Sequence, residues 1–156
     1  MKKIINLLLV LTLVFLLIGC QDTGSGEKNE LYDALPEAKS FTQVDITNVN
    51  LPESVTEIYK DNAGAGYVVK LVTRGYAHNF VIVVGISPDG VVKGAICLQS
   101  NETNGAEKTY GDSFVGKDIN GVKDVDLVAG STITTSAYKK AVVDAFTAFE
   151  TINETK

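Results

Sequence analysis

FVIVVGISPDGVVKGAICL occupies residues 80–98, and the class of the fold follows from it. Phe80 to Ile86 is a run rich in β-branched and aromatic residues, which fit a pleated, buried strand better than about two turns of helix. Pro88-Asp89-Gly90 follows, with proline and glycine where a tight turn needs them. Val91 to Leu98 then returns as a second apolar run. Two strands joined by so short a connection are antiparallel neighbours.

Upstream, Tyr67 to Thr73 has the same strand composition, and Val55 to Lys60 reads as a further strand. Asp61-Asn62-Ala63-Gly64-Ala65-Gly66 between them is a turn. Glu30 to Ser40 predicts a short helix broken near Pro36, where proline removes a backbone donor. Downstream, Gln99 to Gly111 is a polar loop, and the chain to Val125 carries little regular pattern. Ala137, Ala141, Val142, Ala145, Phe146 and Phe149 then recur at helical spacing, with Lys139, Lys140, Asp144 and Thr147 mostly on the other side. The expected class is α+β, an antiparallel sheet flanked by helices.

The N-terminus is a different kind of segment. Lys2 and Lys3 precede an apolar run from Ile4 to Ile18, interrupted by Asn6 and Thr12. A comfortable membrane span needs roughly 20 apolar residues, whereas a secretory h-region needs roughly 7–15. The run ends in Leu17-Ile18-Gly19-Cys20, which resembles the lipobox of bacterial lipoproteins. That resemblance implies a signal peptide over residues 1–19 and acylation of Cys20; an uncleaved N-terminal anchor is the other reading. Residues 20–30 then form the lipidated cysteine and a polar, Gly/Ser-bearing tether with a reach of about 17 Å. Residues 31–152 form one domain, held on the extracytoplasmic face of a membrane.

Charge narrows the partners. The full chain has a formal net charge of −5, and loss of residues 1–19 would remove two lysines and no acidic residue. An acidic domain is repelled by phosphate backbones, so nucleic acid is a poor partner. With Cys20 lipidated, Cys97 is left without a disulfide partner. Its setting, Gly94-Ala95-Ile96-Cys97-Leu98, is that of a small core hydrophobe rather than a redox thiol. The single histidine, His78, rules out a multi-histidine metal site, and no Cys-x-x-Cys pair exists. Gly64-Ala65-Gly66 does not complete a dinucleotide-binding loop, because Val69 sits where the third glycine belongs. Ser113 lacks the Gly-x-Ser-x-Gly spacing of a hydrolase nucleophile.

Chemistry is concentrated in Asp126-Leu127-Val128-Ala129-Gly130-Ser131-Thr132-Ile133-Thr134-Thr135-Ser136, a cluster of small and hydroxyl residues just before the amphipathic helix. A helix N-terminus presents unpaired N–H groups and partial positive charge, which suit a phosphate. From composition alone, an ordinary Ser/Thr N-cap is the favoured account, because such caps are very common.

The segment resembles the flavinylation motif Asp-x-x-Ser-Gly-Ala-Thr-x-Thr-Ser of the FMN-binding domain family. That family includes the G subunit of Rnf electron-transport complexes and the C subunit of sodium-pumping NADH:quinone oxidoreductase. Asp126, Gly130, Thr132 and Thr134 match, Thr135 takes the serine's place, and Ala129 and Ser131 depart from the pattern. Ala34-Leu35-Pro36-Glu37-Ala38, Arg74-Gly75-Tyr76 and Asp89-Gly90-Val91-Val92-Lys93-Gly94 resemble further family segments. Glu102-Thr103-Asn104-Gly105 resembles the family's Glu-Thr-Pro-Gly loop, with Asn104 for the proline.

The resemblance implies an electron-transfer flavoprotein carrying FMN on Thr132 through a phosphoester, attached by a flavin transferase that draws on FAD and a divalent metal. It places Gly130, Ser131 and Thr134 around the phosphate, with Thr135 capping the helix or assisting there. Glu102 and Thr103 would lie near the flavin ring or ribityl chain, and Asp126 would serve transferase recognition or loop structure. Tyr76 and His78 are weaker candidates for lining the site, His78 reading more readily as a solvated loop residue. Membrane or cell-surface redox partners follow from this reading, with no resident metal and no catalytic residue in the chain. Two other functions stay open: a non-redox binding lipoprotein that keeps the fold without flavin, and a flavin-dependent reductase.

Overall fold

The computed structural model describes residues 27–154. Cys20, the segment before it and the first part of the expected tether lie outside the described residues. In chain order the elements are α1 (Glu27–Ala34), β1 (Phe41–Gln43), β2 (Val55–Asp61), β3 (Tyr67–Thr73), β4 (Phe80–Ile86) and β5 (Val92–Gln99). Then come α2 (Glu107–Tyr110), a 3-10 turn (Gly111–Phe114), α3 (Ile119–Lys123) and α4 (Thr132–Glu154). The five strands form one antiparallel sheet in sequence order, β1-β2-β3-β4-β5. The α+β expectation and the central hairpin are borne out. Among the described residues no helix is long and apolar enough to cross a membrane.

Alternation along the strands sends side chains to opposite faces. One face carries Ile58, Val69, Leu71, Ile82, Val84 and Ile86, buried against Ala141, Val142, Ala145, Phe146 and Phe149 of α4. An aromatic cluster closes one end of this layer: Tyr138 lies edge-on to Phe80 at 5.6 Å and to Tyr110 at 5.7 Å, and stacks with Phe114 at 5.8 Å. The other face carries Val68 and Val83 against Leu31, Ala34 and Leu35. There α1 lands on Gly85 and Gly94, which pair across β4 and β5. A Cβ at Gly85 would lie 2.0 Å from the Ala34 carbonyl oxygen, and one at Gly94 2.8 Å from it. Helix and sheet touch backbone to backbone there, which only glycine permits.

Three differences from the sequence reading stand out. Helix α1 runs from Glu27 to Ala34 rather than from Glu30 to Ser40, since a residue before proline, here Leu35, disfavours helical backbone. Strand β1, three residues on the sheet edge, was not expected, and neither were the short helices α2 and α3. Helix α4 begins at Thr132, so the hydroxyl cluster forms its first turn instead of preceding it.

Candidate functional site

The loop leading into α4 has little regular structure, yet side chains from three other elements hold it. Lys139 Nζ, from α4, donates to the carbonyls of Lys123 (2.6 Å) and Val125 (2.8 Å). Tyr110 Oη, at the end of α2, donates to Asp126 O at 3.1 Å. Thr135 Oγ1 accepts from Val128 N at 3.3 Å and donates to Ser131 O at 3.0 Å. Asn104 Nδ2 donates to Gly130 O at 2.6 Å, bridging two loops 26 residues apart. Gly130 itself has φ +78°, a conformation that glycine adopts without penalty.

Beside this loop lies a surface cleft of about 480 Å³ lined by Tyr76, Thr103, Asn104, Gly130, Ser131, Thr132, Ile133 and Thr134. That volume falls within the range of roughly 300–1,000 Å³ common for cofactor sites. The structure thus brings Thr103, Gly130, Ser131, Thr132 and Thr134 together on one cleft. Glu102 and Thr135 stand behind the wall instead. Thr135 is fully buried and does not cap the helix; its hydroxyl fastens Val128 to the first turn. His78 is exposed and does not line the cleft.

Glu102 is the tie of the site. Its carboxylate accepts from Tyr76 N at 3.1 Å, Ala77 N at 2.9 Å and the Thr134 hydroxyl. Burial alone would raise its pKa, but the bonds from Thr134, Ala77 and Tyr76 outweigh that and hold it below the ordinary glutamate value. The Glu102 amide in turn donates to Ser100 Oγ, which donates to the buried Glu107. Sequence reasoning missed Asn104 and Ile133 as lining residues. Asn104 carried one signal, since an amide in place of the family's proline adds a hydrogen-bond donor.

The three threonines differ sharply in access. Thr132 is exposed, whereas Thr134 is 6% exposed and Thr135 0%, their hydroxyls spent on Glu102 and Ser131. The N–H groups of Thr132, Ile133 and Thr134 belong to the first turn of α4 and have no carbonyl four residues back inside the helix. Among the described residues no lysine or arginine lines the cleft, so these N–H groups and the helix dipole supply its positive character. No atom lies within 4 Å of where a Gly130 Cβ would be, so there is open space beside the exposed hydroxyl. These features fit a phosphate joined to Thr132. Cys97 is half-buried; burial, with Glu107 and Glu102 nearby, pushes its thiol up to about 11, so it is protonated and inert at neutral pH.

Residues 75–147 match the FMN-binding domain family. The chain is 32% identical over 139 residues to the G subunit of the Na(+)-translocating ferredoxin:NAD(+) oxidoreductase complex of Acetobacterium woodii, covering 70% of this chain and 67% of the relative. It is 31% identical over 100 residues to the G subunit of the proton-translocating ferredoxin:NAD(+) oxidoreductase complex of Clostridium ljungdahlii, covering 55% of this chain and 54% of that one.

Proposed function

Because the chain belongs to the FMN-binding domain family, we propose that it is an electron-transfer flavoprotein anchored on the extracytoplasmic face of a membrane, with FMN joined by a phosphoester to Thr132. The observation that carries the attachment site is access. Thr132 alone among the three threonines offers an exposed hydroxyl on the cleft. A flavin transferase is the partner in maturation. The Thr132 hydroxyl oxygen bonds to the FMN phosphorus of FAD, AMP leaves, and the hydroxyl proton passes to a base in the transferase. An unassisted threonine hydroxyl is a poor nucleophile, which is why a second enzyme is needed.

FMN, when bound, supplies one- and two-electron redox chemistry. The chain's own residues hold and place it. The first-turn N–H groups of α4 and the Ser131 region meet the phosphate, while Asn104 fixes Gly130 so that the loop keeps clear of it. Thr103 lines the same cleft and would meet the ribityl chain. Glu102 keeps Thr134 and the Tyr76 loop in register without touching the phosphate, its charge being met by three donors. The relatives are named as subunits of ferredoxin:NAD(+) oxidoreductase complexes, which supports membrane redox partners for this chain.

The anchor rests on Leu17-Ile18-Gly19-Cys20, and a lipid chain on Cys20 would keep the domain at its partners. One peptide mass map tests both modifications in protein made in a lipoprotein-processing host together with a flavin transferase. FMN mass on the peptide containing Thr132, absent in Thr132→Ala and partly kept in Thr132→Ser, is expected, with acylated Cys20 at the N-terminus. FMN on Thr134 or Thr135 would refute the register. An unmodified chain beside a flavinylated family member would favour the non-redox binding lipoprotein, and a free Cys20 thiol in membrane-bound protein would refute the lipid anchor.

A further inference from the structure

We propose that Tyr76 is the platform on which the isoalloxazine ring of the flavin lies, and that Glu102 is the positioning residue that holds it there; this rests on the FMN attachment to Thr132.

Tyr76 is out of place as a structural residue. Of the six tyrosines, it alone is exposed, with 65% of its surface open to solvent. An exposed ring on a loose loop would carry no meaning, but this backbone is clamped. The N–H groups of Tyr76 and Ala77 both donate to the Glu102 carboxylate. Gly75 lets that carboxylate in: a Cβ there would lie 2.5 Å from Glu102 Oε1. The loop closes at Asn79 with φ 61°, in the left-handed region that asparagine tolerates better than most residues.

The same carboxylate takes the Thr134 hydroxyl, on the first turn of α4. One side chain therefore fixes the aromatic loop relative to the turn that bears Thr132. Tyr76 and the 60%-exposed Ile133 both line the cleft that Thr132 borders. A flat, largely apolar heteroaromatic ring joined to Thr132 finds one aromatic surface in the cleft, and that surface is Tyr76. Aromatic stacking and relief of exposed apolar area both favour the contact.

This contact has a spectroscopic signature. A tyrosine stacked on a flavin gives an electron to the photoexcited ring and takes it back, with no net chemistry and a loss of emission. Phenylalanine stacks as well but is too hard to oxidise to do this. The chain contains no tryptophan, and no other tyrosine lines the cleft.

The test uses protein loaded by coexpression with a flavin transferase and shown by intact mass to hold one FMN per chain. Flavin emission is compared folded and in urea. Wild type should be several-fold dimmer when folded than when unfolded. Tyr76→Phe should recover most of the emission with its visible absorption bands little changed, and Tyr76→Ala should recover emission with bands close to those of free FMN. Glu102→Ala, checked for its fold by circular dichroism, should lose much of the quenching although Tyr76 is still present. Equal emission from folded and unfolded wild type, or quenching that persists in Tyr76→Phe, overturns the platform. Undiminished quenching in Glu102→Ala removes the positioning role. A chain that carries no FMN counts against the attachment itself, whereas one FMN with unquenched emission counts against Tyr76 alone.

Discussion

At Gly130 the φ angle is +78°, and a Cβ there would meet no atom within 4 Å. Space in the protein is therefore not the reason for glycine; backbone conformation is. Left-handed backbone costs an L-residue about 1–2 kcal/mol, and asparagine bears it better than a β-branched residue. Gly130→Asn is expected to fold and to take up most of its flavin. Gly130→Val should lose about 1–2 kcal/mol in urea unfolding, and most of the flavin with it, because the loop it distorts leads directly to Thr132. Equal flavin loss in both variants would show that crowding against the phosphate decides, not φ. The sequence singled out Gly130 for close approach to phosphate; the φ angle that demands glycine in the protein itself is a property of the folded loop.

Among the elements, the loop before α4 depends most on its neighbours. It spans few residues with regular backbone bonds, and Lys139, Tyr110, Thr135 and Asn104 supply the missing partners. Thr135→Val keeps the shape of the side chain and deletes its oxygen, leaving the Val128 N–H without its acceptor. Val128 is exposed and the bond only part-buried, so its loss costs about 0.5–1.5 kcal/mol, as for an ordinary hydrogen bond. The expected result is faster amide exchange at Val128 and a lower flavin yield, with FMN still on Thr132. Unchanged protection at Val128 would mean that the loop is held by other contacts. The strands of this fold were legible because their β-branched runs bury side chains whatever surrounds them. Strand β1 was not: Phe41-Thr42-Gln43 is short, has one neighbour and carries two exposed residues. The start of α4 was misjudged because threonine suits a cap as readily as a first turn; its hydroxyls settle the matter only by bonding to Glu102 and Ser131.

Over the full domain, Asp61 joins distant parts of the chain. Its carboxylate, fully buried, accepts from Lys39 N (2.9 Å), Ser40 N (3.0 Å) and Ala65 N (2.9 Å), so the connection from α1 is tied to the β2–β3 turn. Burial would raise its pKa, but the N–H groups of Ala65, Ser40, Lys39 and Ala63 outweigh it and hold it below the ordinary 3.8. A carboxyl depressed in the folded state adds stability above its unfolded pKa, and that stability is lost as pH falls through the folded value. Resistance to urea should therefore fall below about pH 4 in wild type. Asp61→Asn should be less stable at neutral pH and should change less across that acid range. A variant with the same acid slope as wild type would place the titration elsewhere.

Local pattern was enough to establish the antiparallel hairpin of β4 and β5, the amphipathic α4 and the concentration of hydroxyls at its start. Alternation, helical spacing and turn chemistry act over a few residues and survive changes of surroundings. Which threonine stays open, what Glu102 binds, and that Asn104 meets Gly130 were settled by folding alone. The Glu102 and Asn104 contacts join residues 25 to 32 positions apart. A hydrogen bond acts only over atomic distances, so the folded sheet and helix must first bring these loops to the same edge before any of them can form.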